Sequence, residues 1–259
     1  MGDAITEALG IAVAARVPVL LWGAPGTGKT SAIRAMAEAA GLPCETVIAA
    51  IREPSDFSGL PVVADGVVRF APPRWAERLA HAGAGVLFLD EISTAPPAVQ
   101  AALLRVVLER VVGDLPLPPG VVVVAAANPP EQAADGWDLS APLANRFCHL
   151  DWQVDAAAFA RGVAGGWAPA PLPALDESWE SRLAAGRGLV AAFVTARPAL
   201  TVDVPSDASR SGRAWPSPRT WEMAARLWTA ADAAGASSAA RTALVVGTVG
   251  EAAGLEFLS

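Results

Sequence analysis

The chain has 259 residues, of which 53% are apolar and 17% charged, and its formal net charge is −7. That acidic balance argues against a surface that coats nucleic acid, which needs a basic stripe to neutralise phosphates. Two cysteines and two histidines exclude a disulfide framework and supply no plausible zinc site.

No apolar run reaches the ~20 residues of a membrane span, and the first residues lack a basic-then-apolar signal pattern. A cytoplasmic protein with no membrane span and no nucleic-acid partner is the expectation. The neighbours Cys148 and His149 read as a buried pair rather than as ligands. Lysine is rarer still: Lys29 is the only one among 19 basic residues. Where so scarce a residue type persists, a chemical need is the better explanation.

In chain order, Asp3 to Ala15 reads as an amphipathic helix. Val17–Trp22 reads as a buried parallel strand, which opens into a Gly-rich turn and a helix from Lys29 to Ala40, closed by Gly41. A second strand is expected at Thr46–Ala50. Two β-branched runs within 61–70 flank Asp65-Gly66 and predict a hairpin. A helix at Arg74–His81, a strand at Val86–Leu89, and a helix starting at Pro96-Pro97 and running to Arg110 follow. A second small hairpin is expected near 111–117, then the strand Val121–Ala126. Strands separated by helices predict an α/β fold, a parallel sheet sandwiched by helices. Residues 1–150 are expected to form this domain. Residues 151–259, with loops at Trp167–Pro173 and Thr201–Pro218 and helical stretches at Glu177–Ala196, Thr220–Ala234 and Ala239–Gly250, are expected to form a small helical lid. The chain stops on an apolar helical pattern, Glu256–Ser259, so either residues follow it or this end docks on something.

Three strand ends carry chemistry. Gly23-Ala24-Pro25-Gly26-Thr27-Gly28-Lys29-Thr30 fits the phosphate-loop pattern between a strand and a helix, with Ser31 next in the helix. Its glycines let backbone N–H groups encircle phosphates, the helix N-terminus adds a favourable dipole, and Lys29 adds a point charge. Thr30 supplies a hydroxyl, and Asp90 at the end of the next apolar strand supplies a carboxylate, for Mg²⁺. Glu91 is placed to polarise a water for attack on the γ-phosphate. Asn128 ends a third apolar strand at the edge where ligands bind such sheets. It reads as a hydrogen-bond partner for the γ-phosphate or that water. Arg146 and Arg219 are either solvated charges or guanidiniums that reach a γ-phosphate.

The ordered set GAPGTGKT (Gly23–Thr30), EPSDFSG (Glu53–Gly59), LFLDEIS (Leu87–Ser93), AAANPP (Ala125–Pro130), PLANRF (Pro142–Phe147) and SPRTWE (Ser217–Glu222) resembles the AAA+ ATPases, and among them the MoxR-like family. The resemblance implies ATP and Mg²⁺ as cofactors. It also implies Walker A at Lys29 and Thr30, Walker B at Asp90 and Glu91, sensor 1 at Asn128 and sensor 2 at Arg219. Arg146 resembles the finger that reaches a neighbouring subunit, which implies a homo-oligomeric ring, commonly a hexamer. The two hairpins resemble the clade's insertions, which usually face the pore or a partner. The short, proline-rich segment Leu115–Pro119 departs from the usual substrate-gripping loop. Family members are chaperone-like remodellers, often paired with von Willebrand A-domain proteins. The alternatives at this stage are a nucleotide-gated scaffold with little net hydrolysis and, disfavoured by the acidic charge, a nucleic-acid motor.

Overall fold

The computed structural model describes residues 2–129, 137–176 and 178–259; Pro130 and Glu177, at the ends of two stretches named above, lie outside the described residues. Helix α1 (Gly2–Ala14) precedes strand β1 (Val19–Trp22) and helix α2 (Lys29–Ala39). Strand β2 (Cys44–Ile48) and the short α3 (Ser55–Ser58) lead to a hairpin of β3 (Leu60–Ala64) and β4 (Val67–Ala71). Next come α4 (Arg74–Ala82), β5 (Ala84–Asp90) and α5 (Pro97–Glu109). The small hairpin β6 (Val111–Val112) and β7 (Leu115–Pro116) then leads into β8 (Gly120–Ala127). After α6 (Ala141–Ala144) and β9 (Cys148–Asp151) the remaining elements are helical: α7 (Ala156–Gly165), α8 (Leu183–Ala196), α9 (Ala208–Ser211), α10 (Pro218–Ala233), α11 (Ser238–Val249) and α12 (Glu251–Leu258).

Five strands form one parallel sheet in the order β2-β5-β8-β1-β9. Alternate side chains of β1 enter different cores, as the period of two requires. Val19 and Leu21 pack with Ile33, Phe88 and Val124, together with Leu227 and Leu244 from α10 and α11. Leu20 and Trp22 pack with Leu79, Leu89, Leu103 and Phe147 on the other face. Burial on both faces explains why β1, β5 and β8 read as continuous apolar runs. A third core among the C-terminal helices joins Val190, Trp221, Val245 and Val249. Phe257, from the apolar terminal pattern, packs there against Phe193, Trp221 and Trp228.

Both hairpins form where expected, and Asp65 and Gly66 both take positive φ at the first turn. The base of the first hairpin is tied to the turn of the second: the Phe70 N–H donates to Asp114 Oδ2 at 2.8 Å, and the Asp114 N–H donates to the Phe70 carbonyl at 2.9 Å. The structure corrects the second strand from Thr46–Ala50 to Cys44–Ile48: it starts earlier, with Cys44 paired to Val86, and ends earlier because residues 49–51 turn as a 3₁₀ helix. Strand β9 has no counterpart in the sequence expectation. Cys148-His-Leu-Asp151 lacks any β-branched residue and is a strand because β1 templates it, with Val19 opposite Cys148 and Trp22 opposite Asp151. Its outer edge is covered by α11, whose Gly247 comes so near that a Cβ there would sit 2.3 Å from the His149 carbonyl oxygen. Covering a free strand edge with a helix removes a site for unwanted pairing.

Candidate nucleotide site

The loop after β1 turns back into α2 within six residues. Gly28, at φ 84°, caps α2 in the left-handed region that a side chain would strain. Pro25, Gly26, Gly28 and Ser31 are exposed, whereas Lys29 is buried. The Lys29 ammonium donates to the carbonyls of Gly23 at 2.6 Å and Ala24 at 3.0 Å, and to Asn128 Oδ1 at 3.2 Å. Burial lowers its pKa, and the charge of Asp90 acts in the opposite direction. Thr27 Oγ1 closes the loop on the Ala24 carbonyl at 2.7 Å.

The strand ends β5 and β8 bring their polar residues to the same edge. Thr30 Oγ1 donates to Asp90 Oδ2 at 2.9 Å, and the second Asp90 oxygen accepts the Glu91 N–H at 3.0 Å. Glu91 is exposed and sits at φ 55°, so the chain turns sharply as it leaves the strand. Ser93 Oγ donates to the Asn128 carbonyl at 3.3 Å, joining the two strand ends. A hydroxyl and a carboxylate in contact are hard oxygen donors, which suit a Mg²⁺ ion held by one or two protein ligands with phosphate and water completing its shell. Among the described residues no group of three or more His, Cys, Asp or Glu could hold a metal on its own. The donor set therefore fits a cation that arrives with a phosphate.

Gly23 to Ser31, Asp90, Glu91 and Asn128 are thus drawn to one edge of the sheet. Arg146 and Arg219 are not. Arg146 lies two residues before Cys148, which pairs with Val19, whereas the phosphate loop begins one residue after Trp22. At about 3.3 Å per residue the two positions are roughly 13 Å or more apart along the strands. Arg219 lies with Arg146: its Nη1 donates to Asn145 Oδ1 at 3.4 Å, and the same oxygen accepts Ser217 Oγ at 2.8 Å. Arg146 itself donates to the Pro142 carbonyl, while its Nε is buried without a protein partner among the described residues.

Two contacts at the site had no signal in the sequence. Ser93 is one. The other is Trp152, whose indole N–H donates to the Thr27 carbonyl at 3.1 Å. An aromatic residue just past a four-residue strand carries no motif, and only the pairing of β9 with β1 brings it to the loop.

The geometry agrees with comparisons to known proteins. The family model for the AAA domain (dynein-related subfamily) matches residues 18–147. Over 133 residues the chain is 30% identical to "Chaperone MoxR1" of Mycobacterium tuberculosis, covering 50% of this chain and 34% of that protein. Over 67 residues it is 46% identical to the "Psp operon transcriptional activator" of Escherichia coli, covering 24% of this chain and 21% of that protein. The chain thus matches about a third or less of the length of these curated relatives. A crystal structure of a "putative ATPase" from Cytophaga hutchinsonii shares the fold at a TM-score of 0.50 and 19% identity, covering 86% of this chain and 74% of that one. A phosphate loop opening from a parallel sheet, with carboxylates at the end of β5 on the same edge and the family match over the same residues, places this chain in the AAA domain family, dynein-related subfamily, as a MoxR-like AAA+ protein.

Proposed function

We propose that the chain hydrolyses ATP with Mg²⁺ at a site completed by a second copy, within a hexameric ring, and that turnover remodels or activates a protein partner in the cytoplasm. The observation that carries this reading is the split placement of the polar residues. Lys29, Thr30, Asp90 and Asn128 share one hydrogen-bonded edge, while Arg146 and Arg219 make none of its hydrogen bonds and meet instead around Asn145.

In this reading the backbone of Gly23–Gly28 encircles the phosphates, and Lys29 exchanges its carbonyl partners for phosphate oxygens. Thr30 and Asp90 hold Mg²⁺, which when bound spreads the charge of the β- and γ-phosphates. Glu91 orients and polarises the attacking water, and Asn128 holds that water or the γ-phosphate in line. Arg146 and Arg219 of one copy stabilise charge at the next copy's γ-phosphate. Residues 1–150 act as the nucleotide-binding domain and residues 151–259 as its lid. The name of the mycobacterial relative, a chaperone, supports a protein as the object of the cycle. A von Willebrand A-domain protein is the partner class that the MoxR-like resemblance favours.

The test is ATP turnover by wild type and Glu91→Gln. The variant is expected to bind ATP and to lose turnover by roughly 10² or more, as removal of a general base does. Equal turnover would sink the hydrolytic reading. ATP-dependent capture of a partner with negligible wild-type turnover would instead favour a nucleotide-gated scaffold.

A further inference from the structure

We infer that Trp152 is a positioning residue for the phosphate loop: its indole N–H fixes one loop peptide so that the Gly28 amide points at the phosphates. This rests on the nucleotide-binding reading above and adds to it a residue outside every motif of the chain.

In a trans peptide the carbonyl of one residue and the N–H of the next point in opposite directions. No cis peptide occurs among the described residues. The Thr27 carbonyl accepts the Trp152 indole N–H at 3.1 Å, on the side of the loop that faces β9. The Gly28 N–H is thereby turned the other way. Gly28 is also the cap of α2, so this amide belongs to the set of unpaired donors at a helix N-terminus that attract anions. Without a partner for its carbonyl, the peptide before Gly28 would be free to flip, because glycine admits both signs of φ.

Trp152 holds the beginning of the loop as well as its end. Its backbone N–H donates to the Trp22 carbonyl at 2.6 Å, which extends the β1–β9 ladder by one residue. Its carbonyl oxygen stands 2.5 Å from where a Cβ on Gly23 would lie. The main chain of Trp152 thus abuts the first loop residue, while its side chain grips Thr27 four residues later. Thr27 Oγ1 turns inward to the Ala24 carbonyl at 2.7 Å, so the loop is tied across its middle too. The ring itself is half-buried against the core beneath α1 and α2, which holds the indole in place. A preorganised donor set of this kind binds its ligand without an ordering cost.

The test uses the full chain with Trp152→Phe, which keeps an aromatic ring and removes the N–H donor together with part of the ring volume. Loss of one hydrogen bond of this type corresponds to roughly 2–10-fold weaker binding. Calorimetric titration with Mg-ATP should show that loss, whereas the thermal midpoint without nucleotide should stay at the wild-type value. A pure packing role would leave ATP affinity unchanged in Trp152→Phe. That result, with wild type binding ATP normally, overturns the inference and leaves the nucleotide reading intact. If wild type itself binds no ATP, the nucleotide reading fails and the inference with it. Should Trp152→Phe lower the midpoint, Trp152 is replaced by 3-benzothienylalanine, which has the same shape with sulfur in place of the N–H. Weaker ATP binding by that protein supports the inference, and wild-type binding overturns it.

Discussion

Arg219 donates to Asn145, the residue before Arg146, and burial first, then the charge of Arg219, hold Arg146 below its ordinary pKa. Asn145 accepts from Arg219, but among the described residues no ion pair includes either arginine. Like charges brought together in this way are relieved by an anion, and the γ-phosphate of a neighbouring copy is the one the proposed ring offers. Arg146→Ala is expected to lower ATP turnover by roughly 10³ or more, the range for an arginine finger, with assembly unchanged by light scattering. Mixing it with Glu91→Gln should restore part of the activity, because a mixed interface then holds one intact Glu91 and one intact Arg146. No recovery on mixing would show that the site is not shared.

His149 makes one contribution to the pH dependence of stability. Its Nδ1 accepts the Trp22 indole N–H at 2.8 Å, and its Nε2 lies 2.9 Å from the Ala144 carbonyl, which requires the neutral ring with the proton on Nε2. Desolvation is the main reason its pKa falls from 6.5 to about 4, with Arg213 adding to the fall and the Ala144 bond and Asp151 opposing it. A histidine with a depressed folded pKa takes up its proton more readily when unfolded. The contribution of this group is therefore full above pH 6.5 and is lost as pH falls from 6.5 to about 4. The decline amounts to up to about 3 kcal/mol from this group. Urea unfolding at a series of pH values should show it, and His149→Gln, which can keep both hydrogen bonds, should flatten that part of the profile.

Gly247 tests how the C-terminal helices are held on the sheet. A Cβ there would lie 2.3 Å from the His149 carbonyl oxygen and 3.1 Å from Cys148 Sγ, and backbone cannot yield cheaply. Gly247→Ala should cost about 1–3 kcal/mol by denaturant unfolding, as overpacking does, despite the higher helix propensity of alanine. Gly235→Ala is a poor control because its φ is 63°. Gly188→Ala, in open space on α8, should be neutral or stabilising instead.

Metal dependence isolates the Thr30–Asp90 pair. Thr30→Ala and Asp90→Asn should leave ATP binding in excess EDTA near the wild-type value, since in the proposed site the phosphate contacts come from the loop backbone and Lys29. Both should lose most of the additional affinity that Mg²⁺ gives wild type, as read by titration with and without the metal. An equal Mg²⁺ increment in all three proteins would place the cation elsewhere.

The sequence by itself determined what depends on neighbours along the chain. The phosphate loop, the two strands ending in Asp90 and Asn128, and the Asp65-Gly66 turn are set by local backbone demands and by burial on both faces, so their residue types and order were legible. Arg146 and Arg219 were legible as candidates but not as a pair, because 73 positions separate them and it is the Asn145 contacts that join their elements. Tertiary structure alone decided β9. Its four residues have no strand pattern of their own and become a strand because β1 supplies hydrogen bonds on one edge and α11 covers the other. With β9 in place, Trp152 meets the phosphate loop and His149 meets Trp22, contacts that span 125 and 127 positions and that no periodicity encodes.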